Sequence, residues 1–349
     1  MNVQNKRLVA HWLLLGAILI VIQILLGGIT RLTGSGLSIT EWKPILGTIP
    51  PMNEQQWQDA FDKYKQIAQY KYIHNYFTLR DFKFIYFWEW FHRNWGRFMG
   101  LVFIVPFVYF IYKRKITLSL FWPMVLLFLL GGLQGAIGWI MVKSGVGTSL
   151  VYVSHIRLAI HFIAALILLV YVVWLAMSIS VPQSKLSPSL KIKRYSVFVL
   201  ALLTLQLIYG AFMAGTRAAK SAITWPSING SFLPKSLFSE GSFINDLVNN
   251  LLTIQWIHRN LAYLLALLVI VLTLQLFRQP RATVLFRMRW WPLTLVVIQI
   301  TLGILALVNY LNRYQLTFSI IHQLFGILLL LCITLVYFYS RGKAERNSR

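Results

Sequence analysis

The chain has 349 residues, of which 58% are hydrophobic and only 12% charged, and its formal net charge is +24. Soluble domains carry about 25% charged residues, so this composition excludes an ordinary soluble enzyme. A basic excess of this size would suit a nucleic-acid partner, but its placement along the chain argues against one.

Apolar runs long enough to cross a hydrocarbon core of about 30 Å recur from end to end. They predict membrane spans at 8–29, 95–112, 119–142, 158–179, 196–215, 259–277, 290–309 and 317–339. In lipid each segment must satisfy its own backbone, so these spans are expected to be helices. No ten-residue blocks of period-two alternation point to a β-barrel. The first run follows Lys6 and Arg7, as a signal peptide would. It runs on too long and lacks a small-residue cleavage site, so a retained helix is expected.

Basic residues gather in alternate connections. With the N-terminus cytoplasmic, that side holds Lys6 and Arg7, Lys113 to Lys115, Lys185 to Arg194, Arg278 to Arg289, and the tail Arg341, Lys343, Arg346 and Arg349. Of the nine acidic residues, only Glu345 falls there. Positive charge in short cytoplasmic segments sets orientation, so both termini are expected inside a cell inner membrane. No nucleic-acid partner is expected. The one cysteine, Cys332, excludes an internal disulfide or a thiolate cluster.

The chain repeats itself. TRLTGSGLSITEWKPILGTIPP (30–51) is echoed by TRAAKSAITWPSINGSFLP (216–234), and WFHRN (90–94) by WIHRN (256–260). FWPM (121–124) returns as WWPL (290–293), and LAIHFIAALILL (158–169) as SIIHQLFGILLL (319–330). The expected fold is an all-α membrane protein of eight transmembrane helices, arranged as two pseudo-symmetric four-helix bundles in parallel repeat. The halves are placed at 1–180 and 190–349, joined by the basic segment 180–195. The main asymmetry is the long outer loop 30–90. There Trp57, Phe61, Tyr64 and Ile67 recur at helical spacing, predicting one or two short amphipathic helices lying on the outer surface.

Four of the seven histidines stand at matching repeat positions, His92 with His258 and His161 with His322. They open the four even-numbered spans, which places all four imidazoles at the outer level. A buried intramembrane imidazole marks a functional site by default. Paired imidazoles on adjacent helices suit axial ligation of haem iron. Zinc is the weaker fit, because carboxylate or cysteine ligands are missing from three of the four neighbourhoods. Interfacial histidines bonded to carbonyls or headgroups are the plainer alternative. His11, His74 and His155 lack repeat partners and are read as structural, with His155 near enough to the fourth span to be an alternative ligand.

Glu89 precedes His92 by one helical turn, whereas the matching position in the second half is Gln255. Either Glu89 is an acid beside a reactive centre, or it is a carboxylate favoured by a helix N-terminus.

The GGITRLTGSGLSITEWKPILGTIPP stretch, the Glu89–His92 spacing, and His161, His258 and His322 together resemble the haem A synthase family. The likeness is to the mitochondrial and proteobacterial-type branch with a long first outer loop, and it covers nearly the whole chain. It implies a membrane monooxygenase that converts haem O to haem A for cytochrome oxidase assembly. Two hydroxylations of the C8 methyl give a gem-diol, which loses water to leave the formyl group. By the resemblance, Glu89, His92 and His161 serve the substrate haem O, and His258 and His322 hold a permanent haem b. Molecular oxygen and an electron donor are implied, with haem O synthase and cytochrome oxidase assembly factors as partners. Loop cysteine pairs found in some bacterial members are absent here. Arg31, Arg93, Arg217 and Arg259 fall at the outer edge at equivalent positions, as partners for haem propionates or as ordinary interfacial arginines. A dihaem electron-transfer protein and a transporter built on a parallel repeat remain the rival readings.

Overall fold

The computed structural model describes residues 2–42, 46–239 and 241–342. The tail residues Lys343, Glu345, Arg346 and Arg349 lie outside the described residues, as do positions 43–45 of the first loop motif. The described residues are helical, with no strand beyond an isolated bridge between Ile228 and Ser231. The helices are α1 (Val3–Leu32), α2 (Glu54–Lys65), α3 (Leu79–Tyr112), α4 (Leu118–Lys143), α5 (His155–Ser180) and α6 (Leu190–Thr216). They continue with α7 (Phe243–Asn249), α8 (Leu251–Phe277), α9 (Val284–Arg287), α10 (Trp291–Val308) and α11 (Gln315–Ser340). Eight helical segments, α1, α3, α4, α5, α6, α8, α9 running on into α10, and α11, are long and apolar enough to cross a membrane. The chain is a multi-pass membrane protein of the expected all-α class.

The chain divides into two compact units, Met1–Leu175 and Ala176–Arg349. The division falls inside α5 rather than in the basic segment 180–195. That segment is itself tied into the second unit. The N–H groups of Ser187 and Ser189 donate to the carbonyls of Tyr339 and Ser340 at 2.8 and 3.1 Å, satisfying two of the carbonyls that the end of α11 leaves without intrahelical partners.

In the first unit, α1 packs on α3 through bonds from aromatic edges to main-chain carbonyls. Pro106 sits inside α3, and a proline there leaves the carbonyl one turn earlier without its donor. That carbonyl, Val102, accepts from the Trp12 indole of α1 at 2.9 Å. Trp95 of α3 donates back to the Leu19 carbonyl at 3.0 Å. In the second unit the Tyr195 hydroxyl of α6 donates to the Leu268 carbonyl of α8 at 3.2 Å.

Two expectations need correcting. None of the four histidines opens its helix: His92, His161, His258 and His322 lie within α3, α5, α8 and α11, His92 the furthest in. Helix α3 starts at a Thr78–Asp81 capping box, and its first turns carry Arg80, Asp81 and Lys83, too polar to count as a span yet helical. The short amphipathic helix expected in the long loop is present as α2, but its apolar face packs on protein. Phe61, Tyr64 and Ile67 are buried with Leu37, Phe82 and Ile85 in a core of their own, covered by Trp57, Tyr70 and Tyr86. The apolar face of α2 found protein, the first turns of α3, before it found membrane.

His74 belongs to this loop core, in keeping with a structural role. It is buried, stacks on Phe77 with centroids 4.0 Å apart, and lies 2.6 Å through Nδ1 from the Tyr64 hydroxyl. Burial, helped by the nearby Glu89 charge, pushes the Tyr64 phenol well above the ordinary tyrosine range. Phe82 is fully buried here. Phe82→Ala is expected to destabilise the loop layer by about 3–5 kcal/mol, read as faster protease cleavage between residues 46 and 78 in intact membranes.

Candidate functional site

Each unit contains a pair of histidines from two of its spans. In the second unit His258 of α8 and His322 of α11 face one another with ring centroids 6.4 Å apart and planes at 77°. An iron between two imidazoles needs two bonds of roughly 2 Å with half a ring beyond each, which this separation accommodates. In the first unit His92 of α3 and His161 of α5 stand within electrostatic reach of each other. The Nδ1 atoms of His92 and His258 are buried, and each ring lies in reach of a main-chain group of the preceding span, at Gln23 and Gln206. Among the described residues no three His, Cys, Asp or Glu side chains converge on a point. Paired imidazoles are therefore the ligand arrangement these units offer, and they fit axial haem ligation. His155 is the first residue of α5, and His161 lies further along the same helix.

Opposite each histidine stands a glycine of the preceding span. A Cβ on Gly27 would meet the His92 Cε1 at 3.2 Å, on Gly138 the His161 Cε1 at 2.9 Å, on Gly210 the His258 Cε1 at 3.4 Å, and on Gly303 the His322 Cε1 at 2.9 Å. One turn before each glycine is a glutamine. The Gln23 amide donates to the His92 carbonyl at 3.1 Å, and the Gln134 amide to the His161 carbonyl at 2.9 Å. The Nδ1–H of His322 donates to the Gln299 carbonyl at 2.9 Å. The Gln206 main chain interacts with the His258 ring. Sequence reasoning missed all eight residues. The signal was present as QILLG, QGAIG, QLIYG and QITLG, one in every odd-numbered span.

Glu89 is buried, and both of its oxygens are engaged. Oε2 accepts from the Ser38 hydroxyl at 2.7 Å and from the Ile39 N–H at 2.9 Å, while Oε1 pairs with Arg93. A buried carboxylate is tolerated when paired and bonded in this way. Arg93 also donates to the carbonyls of Ile39 and Glu41 at 3.1 and 3.3 Å. The second unit repeats the clamp without the charge. The Gln255 amide donates to the Ala222 carbonyl at 2.7 Å, and Arg259 donates to the carbonyls of Thr224 and Ser227 at 2.8 and 3.3 Å. The two clamps grip repeat-equivalent peptide groups from opposite ends, Glu89 at the Ile39 N–H and Gln255 at the Ala222 carbonyl. Of the other two arginines, Arg31 lies over the Tyr152 ring, 5.0 Å from its centroid. Arg217 ends α6 in a left-handed conformation, φ 58°, unusual for a residue with a Cβ.

Comparison with known proteins adds the last observation. The model of the cytochrome oxidase assembly protein family matches residues 10–334. The chain belongs to this family. Its curated relatives include the heme A synthase of Flavobacterium johnsoniae, 40% identical over 96% of this chain and 98% of that protein. The heme A synthase of Flavobacterium psychrophilum is 39% identical over 95% and 97%. That of Parvibaculum lavamentivorans is 44% identical over 76% and 77%.

Proposed function

We propose that this protein is a haem A synthase, an oxidoreductase that oxidises the C8 methyl of haem O to a formyl group for cytochrome oxidase assembly. The observation that carries this reading is the presence of an imidazole pair in each unit of a chain whose relatives are heme A synthases over nearly their full length. By the proposed route of two monooxygenations, each step would place one oxygen atom of O2 in the methyl group and reduce the other to water with two electrons from a separate donor. The resulting gem-diol would lose water to leave the formyl group. The dihaem electron-transfer alternative is not favoured, because it has no use for the difference between Glu89 and Gln255.

His258 and His322 would hold a resident haem b, which supplies redox chemistry when bound. His92 and His161 would hold haem O as substrate. Glu89, one turn from His92, is the residue proposed to accept or relay protons during methyl oxidation, and its loop bonds keep it at a fixed place beside the ligand. Arg31, Arg93, Arg217 and Arg259 are the cations proposed to meet the anionic propionates. A guanidinium has five N–H donors, so the loop bonds of Arg93 and Arg259 do not exhaust theirs. The His92–His161 and His258–His322 halves correspond to residues 1–180 and 190–349.

A reduced-minus-oxidised spectrum of the purified protein should show b-type haem, and haem extracted after supply of haem O should contain haem A. A spectrum without haem bands would restore the transporter reading. Haem bands with haem O left unchanged would restore the electron carrier.

The chain is proposed to lie in the inner membrane with both termini cytoplasmic, supported by the segregation of its basic residues. Lys65→Cys should label from the outer side of sealed vesicles and Lys185→Cys from the inner side. Labelling of both from one side would refute the eight-span orientation.

A further inference from the structure

Each odd-numbered span presents its glutamine and glycine to the histidine of the next span, and the contact is reciprocal. A Cβ on Gly96, one turn after His92, would lie 3.5 Å from the Gln23 amide nitrogen, and a Cβ on Gly326, one turn after His322, would lie 3.2 Å from that of Gln299. The corresponding residues after His161 and His258 are Ala165 and Ala262. Each imidazole therefore rests on a glycine backbone, while the Gln23 and Gln299 amides pack beside a glycine of the histidine's helix. The Oε1 atoms of Gln23, Gln134, Gln206 and Gln299 are all buried without a hydrogen-bond partner. Buried amides so placed four times over are not filling space at random.

We infer that the Gln-x-x-x-Gly register is a positioning device that sets the rotation of each proposed haem ligand. This inference rests on the bis-histidine reading given above. The main-chain carbonyl of Gln299 accepts from His322 Nδ1, and the glutamine side chains bear on the rings directly: the Gln299 amide lies 3.4 Å from His322 Nε2, the Gln23 amide 3.4 Å from His92 Nε2 and the Gln134 amide 3.2 Å from His161 Nδ1. The glycine sets how close the ring edge comes to the neighbouring helix. The cradles are graded in the same way in both units. The second histidine of each pair, His161 or His322, is held at 2.9 Å from the would-be Cβ, a distance real Cβ atoms do not reach. The first, His92 or His258, has 3.2 or 3.4 Å. One methyl group should thus displace the second ligand more than the first, whose ring has to give by only a few tenths of an ångström.

The test uses the full-length purified protein with its haem, read by the low-spin ferric EPR signal, the midpoint potential and haem retention during dilution. Gly303→Ala is expected to shift the highest g value and to weaken haem retention about tenfold or more, in the range of lost outer-shell support. Gly210→Ala should produce a much smaller change. Gly16→Ala, where nothing lies within 4 Å of the added methyl, should produce none. Gln299→Met keeps the side-chain volume and should shift the EPR signal while the protein remains folded, so a misfolded Gly303→Ala would not leave the question open. Wild-type protein without a bis-histidine haem signal would overturn the proposed function on which the inference rests. A wild-type signal that Gly303→Ala and Gln299→Met both leave unchanged would overturn the inference alone.

Discussion

His322→Ala or His258→Ala should strip the b-type haem from the purified protein, lowering its reduced-minus-oxidised absorbance tenfold or more. A bis-histidine site that loses one axial ligand keeps only half of its protein bonds to iron. The alanine also leaves a void where the imidazole packed against Gly303 or Gly210. The stability of the second unit in membranes should therefore fall along with the haem content. His92→Ala and His161→Ala form the contrast. They should leave that spectrum nearly intact and abolish conversion of haem O, because the first unit is proposed to hold substrate rather than resident cofactor. A double variant lacking His258 and His322 with the full wild-type haem spectrum would end the ligand assignment.

Glu89→Gln gives the second large effect, and it is chemical rather than structural. The substitution copies Gln255 into the first unit. An amide oxygen can still accept from the Ile39 N–H, and Arg93 keeps its bonds to the Ile39 and Glu41 carbonyls. Both haem sites should therefore still fill. What is lost is the negative charge and its capacity to take a proton in a water-poor setting, where such a group counts for more than in solvent. Conversion of haem O is expected to drop about 100-fold or more, the usual scale for a lost acid–base group. If the second oxidation leans on Glu89 more than the first, the singly hydroxylated haem should accumulate. Product analysis beside the haem spectrum decides the matter. A normal haem A yield would reduce Glu89 to the loop clamp that its bonds to Ser38, Ile39 and Arg93 already make.

Much of the architecture was legible in the sequence because lipid imposes length and apolarity together. Each of the eight expected spans coincides with a helix of the described chain. The helix starts were not legible, since Arg80, Asp81 and Lys83 end a hydropathy signal without ending a helix. The histidine pairs could be read because imidazoles are rare in apolar runs and these four fall at repeat-equivalent positions. The glutamines and glycines facing them could not be found by the same rule. A glycine in a membrane helix is common, and its meaning comes from the ring opposite, which only the packing reveals. The clamp built by Glu89 and Arg93 was hidden for a related reason, because its partners are main-chain groups of the loop and carry no sequence signature.

Helix α3 has 34 residues, and at 1.5 Å per residue it measures about 50 Å, some 20 Å more than the hydrocarbon core. Its surplus carries Phe82 and Ile85, on which the whole aromatic core of the long loop is built, and its continuation carries Glu89 and then His92. One stiff rod thus serves as both the mast of the water-exposed layer and the post of a proposed haem ligand. Any molecule bound to the layer around Trp57 and Tyr86 would therefore rest on the same helix that carries the His92 imidazole.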